Sequence, residues 1–102
     1  MDGKVAIITG GAGMLGMNHA KAIAELGGIP VLLDSNPSRI DAGVQKLRSE
    51  FGAGPSGHVV DITNKDALCA VIQTVIKSKG HIDVLINNAA MTVESNIGDN
   101  NY

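Results

Sequence analysis

Residues 5–16, Val5-Ala6-Ile7-Ile8-Thr9-Gly10-Gly11-Ala12-Gly13-Met14-Leu15-Gly16, decide the fold. Four apolar residues in a row run into a threonine and a glycine-rich segment. Unbroken rather than alternating apolarity fits a strand buried on both faces. Glycines at 10, 13 and 16 give G-x-x-G-x-x-G spacing. Gly10 allows a tight turn, Gly13 lets backbone approach a phosphate with no Cβ in the way, and Gly16 lets the next helix pack closely on the strand. Free N–H groups at the start of that helix can then hold a pyrophosphate. A glycine-rich turn that binds nothing is the competing reading. The strand before it, the helix after it and an acid further along all weigh against that.

Working outward, Leu15, His19, Ala22, Ile23 and Leu26 fall at helical spacing, and Gly27-Gly28 stops that helix. Ile29 to Leu33 is a second strand ending at Asp34. Asn36 is a suitable N-cap with Pro37 at the first helical position, and Ile40, Val44, Leu47 and Phe51 line one face of a second helix. Residues 52–57 read as a loop, and His58-Val59-Val60 as a short strand ending at Asp61. Thr63 begins a third helix, with Asp66 three residues later in the manner of a capping box. Leu68, Val71, Ile72, Val75 and Ile76 form its apolar stripe, Lys77 and Lys79 favour its C-terminus, and Gly80 ends it. Ile82 to Ile86 is a fourth strand, closing at Asn87-Asn88-Ala89-Ala90, after which residues 91–102 are polar and aperiodic. The order is βαβαβαβ. Strands alternating with helices imply a parallel sheet with right-handed crossovers, one half of a doubly wound α/β fold with helices on both faces. The domain spans residues 1–90, followed by a flexible polar tail over 91–102.

Composition excludes several classes. The 102 residues suffice for one small domain, and 44% apolar content rules out disorder of the whole chain. Aromatics are only 2%, Phe51 and Tyr102, and the net charge is -2, which disfavours a base-stacking nucleic-acid surface. A single cysteine, Cys69, excludes an internal disulfide framework and a multi-cysteine zinc site. His19, His58 and His81 follow no metal spacing, so no metal is expected. No apolar run approaches membrane-spanning length, and the expected setting is cytoplasmic.

Asp34 lies 24 residues after Gly10, at the end of the second strand. An acid there can accept both hydrogen bonds of an adenosine ribose diol and would repel a 2′-phosphate, so NAD is expected over NADP. The competing reading is an exposed turn aspartate before an N-cap. Arg39 lies nearby and could soften the preference.

Together these residues resemble the short-chain dehydrogenase/reductase family, over residues 4–90. Three motifs carry the resemblance: Thr9-Gly10-x-x-Gly13-x-x-Gly16, Asp61 after the third strand, and Asn87-Asn88-Ala89-Ala90 after the fourth. It implies the amino-terminal portion of a Rossmann fold. The loop departs from the single-domain branch, which usually has Thr-Gly-x-x-x-Gly-x-Gly with glycine at position 14. Here Met14 stands there and the glycine falls at 13, as in the extended branch, whereas Asn-Asn-Ala-Ala resembles the single-domain branch. The resemblance implies that backbone around Gly13, Met14 and Leu15 meets the pyrophosphate. It places Asp34 on the adenosine ribose, Asp61 on the adenine amino group with Ile62 beside the ring, and Asn87 to Ala90 on the path to the nicotinamide ribose. Local turn support is the plainer role for Asn87 and Asn88.

The family's reaction, hydride transfer between nicotinamide and a carbonyl or alcohol, uses a tyrosine, a lysine four residues later, a serine and an asparagine. The sole tyrosine, Tyr102, is the last residue, so no catalytic residue is assigned. The chain reads as the cofactor half of an NAD-dependent oxidoreductase, inactive alone. A stand-alone nucleotide-binding or interaction module is the alternative, its bare sheet edge calling for a partner chain or a swapped dimer. A methyltransferase-type Rossmann fold also carries an acid after the second strand, but Thr9 and Asn87–Ala90 argue against it.

Overall fold

The computed structural model describes residues 1–88. Seven elements follow in the expected alternation: β1 (Val5–Thr9), α1 (Met14–Glu25), β2 (Ile29–Asp34), α2 (Pro37–Phe51), β3 (Ser56–Val59), α3 (Lys65–Lys79) and β4 (Val84–Asn87). The four strands are parallel in the order β3-β2-β1-β4. Stepping outward from β1 through β2 to β3 puts α1 and α2 on one face. The return crossover to β4 puts α3 on the other.

Each face has its own core. Val5, Ile7, Val31 and Leu33 pack against Val75 and the stripe Ala67, Leu68, Val71 and Ile72 of α3. Ile8 and Leu32 pack against Ala20 of α1 and Ile40 and Leu47 of α2. Consecutive residues of β1 and β2 thus feed opposite cores, which is why both strands read as unbroken apolar runs.

Several expectations are corrected. The face of α1 marked by Leu15, His19, Ala22 and Leu26 is exposed, with Leu15 and Leu26 both 61% accessible. The inward face is Gly16 and Ala20, flanked by half-buried Met17 and Ile23. The cause is steric. A Cβ on Gly16 would overlap the Gly10 carbonyl oxygen and lie 2.5 Å from Gly11 Cα, so α1 touches the turn at a residue with no side chain. That contact fixes the helix rotation whatever the outer stripe contains.

The third helix begins at Lys65, not Thr63. Its N-cap is Asn64, whose side-chain oxygen accepts from the Ala67 N–H at 3.1 Å. Thr63 instead faces back to Asp61. The third strand spans Ser56–Val59 rather than 58–60, so Ser56 and Gly57 leave the expected loop. Gly57 is dictated by close approach: a Cβ there would sit 2.9 Å from Val44 Cγ2 and 3.0 Å from Ile40 Cγ2 of α2. The fourth strand starts at Val84, and Asp83 just before it clasps Val5 of β1: its carboxylate accepts from Val5 N–H at 2.8 Å, and its own N–H donates to the Val5 carbonyl at 2.9 Å. The expected tail, residues 91–102, and Ala89 and Ala90 lie outside the described residues.

Candidate functional site

The carboxyl ends of the strands open into a cleft of about 440 Å3. Parallel α/β sheets bind ligands there, beside the point where the strand order reverses. That point lies between β1 and β4, on either side of which α1 and α3 cover opposite faces.

The β1–α1 turn supplies Gly10, Gly13, Leu15 and Gly16 to the wall. Gly10 has φ +66°, a left-handed conformation suited to glycine, and its carbonyl accepts from the Gly13 N–H at 3.1 Å. Gly11 is a further requirement that the G-x-x-G-x-x-G reading passed over. A Cβ there would lie 2.6 Å from the Ile8 carbonyl oxygen and 3.0 Å from Leu32 Cα. Gly13 differs from both. Its φ is -79°, and an added Cβ would meet only the Gly10 carbonyl oxygen, at an ordinary 3.5 Å. The fold does not need glycine at 13, which borders open space in the cleft.

The start of α1 has neither a side-chain cap nor an acid in its first turn. The N–H groups of Met14, Leu15 and Gly16 therefore lack an intrahelical acceptor. A helix start in this state favours an anion.

The end of β2 supplies Leu33, Asp34 and Ser35. The Asp34 side chain is 5% exposed, and its Oδ1 accepts from Asn36 N–H at 3.0 Å and from Arg39 Nη2 at 3.1 Å. It is thus a paired, buried acid rather than an exposed turn aspartate. Arg39, 55% exposed, also lines the cleft. The sequence carried a signal for this. Arg39 is the third residue of a helix capped by Asn36, and helical side chains lean toward their own N-terminus, here toward Asp34.

Beyond β3, Val60, Asp61 and Ile62 form the facing wall. Asp61 Oδ1 accepts from the Thr63 hydroxyl at 2.6 Å and the Thr63 N–H at 2.9 Å. These bonds, the hydroxyl's first, hold its carboxyl below the usual 3.8.

At the floor, Asn88 lines the cleft, and its Nδ2 is buried with no partner among the described residues. Asn87 points elsewhere: its side-chain oxygen accepts from the Thr9 hydroxyl at 2.9 Å and ties β4 to β1. Met14, 84% exposed, lies outside the wall. The structure therefore gathers Gly10, Gly13, Leu15, Gly16, Asp34, Asp61 and Ile62 around one cleft. Leu33, Ser35 and Val60 join them without having been singled out from sequence; Arg39 is noted there only as softening the Asp34 preference, and Asn88 lies within the expected Asn87–Ala90 stretch. An orphaned buried donor, an uncapped helix start and an unfilled space at Gly13 all fit a ligand rich in phosphate and hydroxyl oxygens. No group of three metal-binding side chains occurs among the described residues, and none of their helices is long and apolar enough to cross a membrane.

Fold and cleft together define a Rossmann-type α/β unit. The chain belongs to the short-chain dehydrogenase family of oxidoreductases, whose model matches residues 4–101. It is 34% identical over 99 residues to an uncharacterized oxidoreductase of Mycobacterium tuberculosis, covering 95% of this chain and 29% of that protein. Among solved structures it resembles an NAD+-bound xylitol dehydrogenase, with TM-score 0.78 and 32% identity, covering 82% of this chain and 32% of that one. It also resembles L-sorbose reductase from Gluconobacter frateurii in complex with NADPH and L-sorbose, with TM-score 0.82 and 32% identity, covering 87% and 34%. The chain spans 29–38% of the length of the curated relatives it matches.

Proposed function

We propose that these residues form the dinucleotide-binding portion of an oxidoreductase that moves hydride between a nicotinamide and a carbonyl or alcohol substrate. The observation that carries this reading is the convergence, in one cleft, of the uncapped start of α1 with Asp34 and Asp61. The backbone of Gly13, Met14 and Leu15 would bind the pyrophosphate. Asp34 would accept from the adenosine ribose, and Asp61 from the adenine amino group beside Ile62. Asn88 and Ala89 would border the path to the nicotinamide ribose, with Asn87 behind them holding β4 to β1 through Thr9. A bound nicotinamide supplies the hydride acceptor or donor; the protein groups bind and orient it.

NAD is preferred over NADP in this reading because Asp34 offers a carboxylate to the ribose diol. The binding unit is residues 1–90, and the setting is the cytoplasm. Titration with NAD should give saturable binding, and mixtures with carbonyl or alcohol substrates should leave NADH absorbance unchanged. Absence of binding refutes the assignment, and steady turnover refutes the absence of catalytic residues from this chain.

A second reading, an interaction module, is favoured by Leu85 on edge strand β4, which is 62% exposed. A concentration-dependent mass in light scattering would support it, through an oligomer joined at that edge.

A further inference from the structure

We propose that Thr63 is a positioning residue for the base end of the cleft: by holding one oxygen of Asp61 it leaves the other, fixed in place, to accept from the amino group of a 6-aminopurine, and so sets the preference for adenine over a 6-oxopurine. The proposal rests on the dinucleotide reading above and concerns how the base is selected. Asp34 and Asp61 both line the cleft, but they are held in different ways. Asp34 is buried, with bonds from Asn36 and Arg39. Asp61 is exposed, and one residue alone holds its side chain. Its Oδ1 accepts from the Thr63 hydroxyl at 2.6 Å and the Thr63 N–H at 2.9 Å, while its Oδ2 accepts nothing among the described residues.

The torsion that turns an aspartate carboxylate has a broad minimum, so a solvated carboxylate with a single bond sweeps through a wide range. Two donors on one oxygen remove that freedom. The backbone on either side is fixed as well. The Val60 N–H donates to the Asp34 carbonyl at 2.9 Å, which hangs the turn from the end of β2, and the Asn64 N–H donates to the Asp61 carbonyl at 3.0 Å. Ile62, between them, packs against the core under α3. What could still turn is the carboxylate, and the Thr63 hydroxyl stops it. Thr63 is not needed as a helix cap, because α3 takes its cap from Asn64 and begins at Lys65. The same two bonds favour the ionised carboxyl, which only accepts hydrogen bonds. Adenine offers such an oxygen its 6-amino N–H. Hypoxanthine offers a 6-oxo oxygen, which a carboxylate repels. A site built to accept from an N–H rejects the analogue that lacks it.

The test is calorimetric titration of the 102-residue chain with NAD and with its analogue carrying hypoxanthine in place of adenine. The unaltered chain should bind NAD about tenfold or more tighter than the analogue. Thr63→Val, which keeps the N–H and loses the hydroxyl, should cut that preference to about threefold or less, and Thr63→Ser should keep it within about twofold of the unaltered value. Thr63→Ala carries the same expectation should the valine variant not fold. Asp61→Ala should abolish the preference, and adding Thr63→Val to it should move the ratio by less than about twofold, because Thr63 acts through Asp61. Equal weakening of both dinucleotides by Thr63→Val would make Thr63 merely structural and overturn the proposal. Equal affinity of the unaltered chain for the two would overturn it as well, while leaving the pyrophosphate end of the site in place. Failure of both dinucleotides to bind would overturn the site itself, and the role of Thr63 with it.

Discussion

The three helices begin in two different ways. At the starts of α2 and α3 an asparagine side chain closes the first turn, Asn36 on the Arg39 N–H and Asn64 on the Ala67 N–H. At the start of α1 the cap position is Gly13, with no side chain to offer and no acid in the turn that follows. Caps of the Asn kind stabilise a helix by about 1 kcal/mol. The chain uses them at α2 and α3 and omits one at α1, whose glycine start borders the cleft. The glycines divide in the same way. Gly11 and Gly16 are demanded by neighbouring protein atoms, while Gly13 faces open space. Stability and binding therefore reside in different glycines of one turn.

Four substitutions and two pH effects should sharpen or break that contrast. Gly16→Ala should be the most damaging, costing about 3 kcal/mol or more in urea unfolding, because the clash is with backbone that cannot yield. Gly13→Ala should shift unfolding by less than about 1 kcal/mol yet weaken NAD binding about tenfold or more, since its methyl group enters the phosphate space. Equal losses of stability at the two positions would erase the distinction. Gly13→Asp should go further, giving α1 the kind of cap that α2 has. A slight gain in melting temperature with loss of NAD binding is expected, because the carboxylate would hold the N–H groups that a phosphate needs. Asn64→Ala should cost about 1 kcal/mol in denaturant unfolding.

The smallest effect is at His58. Burial, and then the charge of Lys79, hold its imidazole below the usual 6.5. The unfolded chain therefore binds this proton more readily than the folded one. The stabilising contribution is complete above 6.5 and is lost as pH falls below that value toward the folded pKa. His58→Gln should flatten this slope in pH-dependent unfolding; an unchanged slope would place its origin elsewhere. Asp61 behaves in the way usual for a depressed carboxylate. Its contribution is present above 3.8 and is lost as pH falls through the lower folded value, which Thr63→Val should raise toward 3.8 in a proton titration followed by NMR.

Much of this was legible in the residues because it rests on local chemistry. The continuous runs Val5–Ile8 and Ile29–Leu33, the Asn36-Pro37 helix start, and the glycines that end α1 and α3 each carry a conformational requirement in one short stretch. The rotation of α1 was legible only in Gly16, whose missing side chain lets the helix pack closely. Its outer stripe of Leu15, Ala22 and Leu26 looks like a buried face, and only the tertiary contact of Gly16 with the turn selects the other one. The residue pattern puts the start of α3 at Thr63, whereas the helix begins at Lys65 with Asn64 as its cap. Asp61 accounts for the difference by engaging the Thr63 hydroxyl in a tight local turn. Within the site, spacing marked Gly13 and Asp34, and the family resemblance marked Asp61. Their company, Ser35 and Arg39 above all, follows from how the first turn of α2 folds back over the end of β2.

The central claim is that a dinucleotide sits on the start of α1 between Asp34 and Asp61. Its most direct test is a map of backbone amide shifts on titrating the chain with NAD. The largest changes are expected at the N–H groups of Gly13, Met14, Leu15 and Gly16, with further changes at Ser35 and Ile62. Shifts concentrated instead at the opposite end of the sheet, around Gly3, His81 and Asp83, would contradict it.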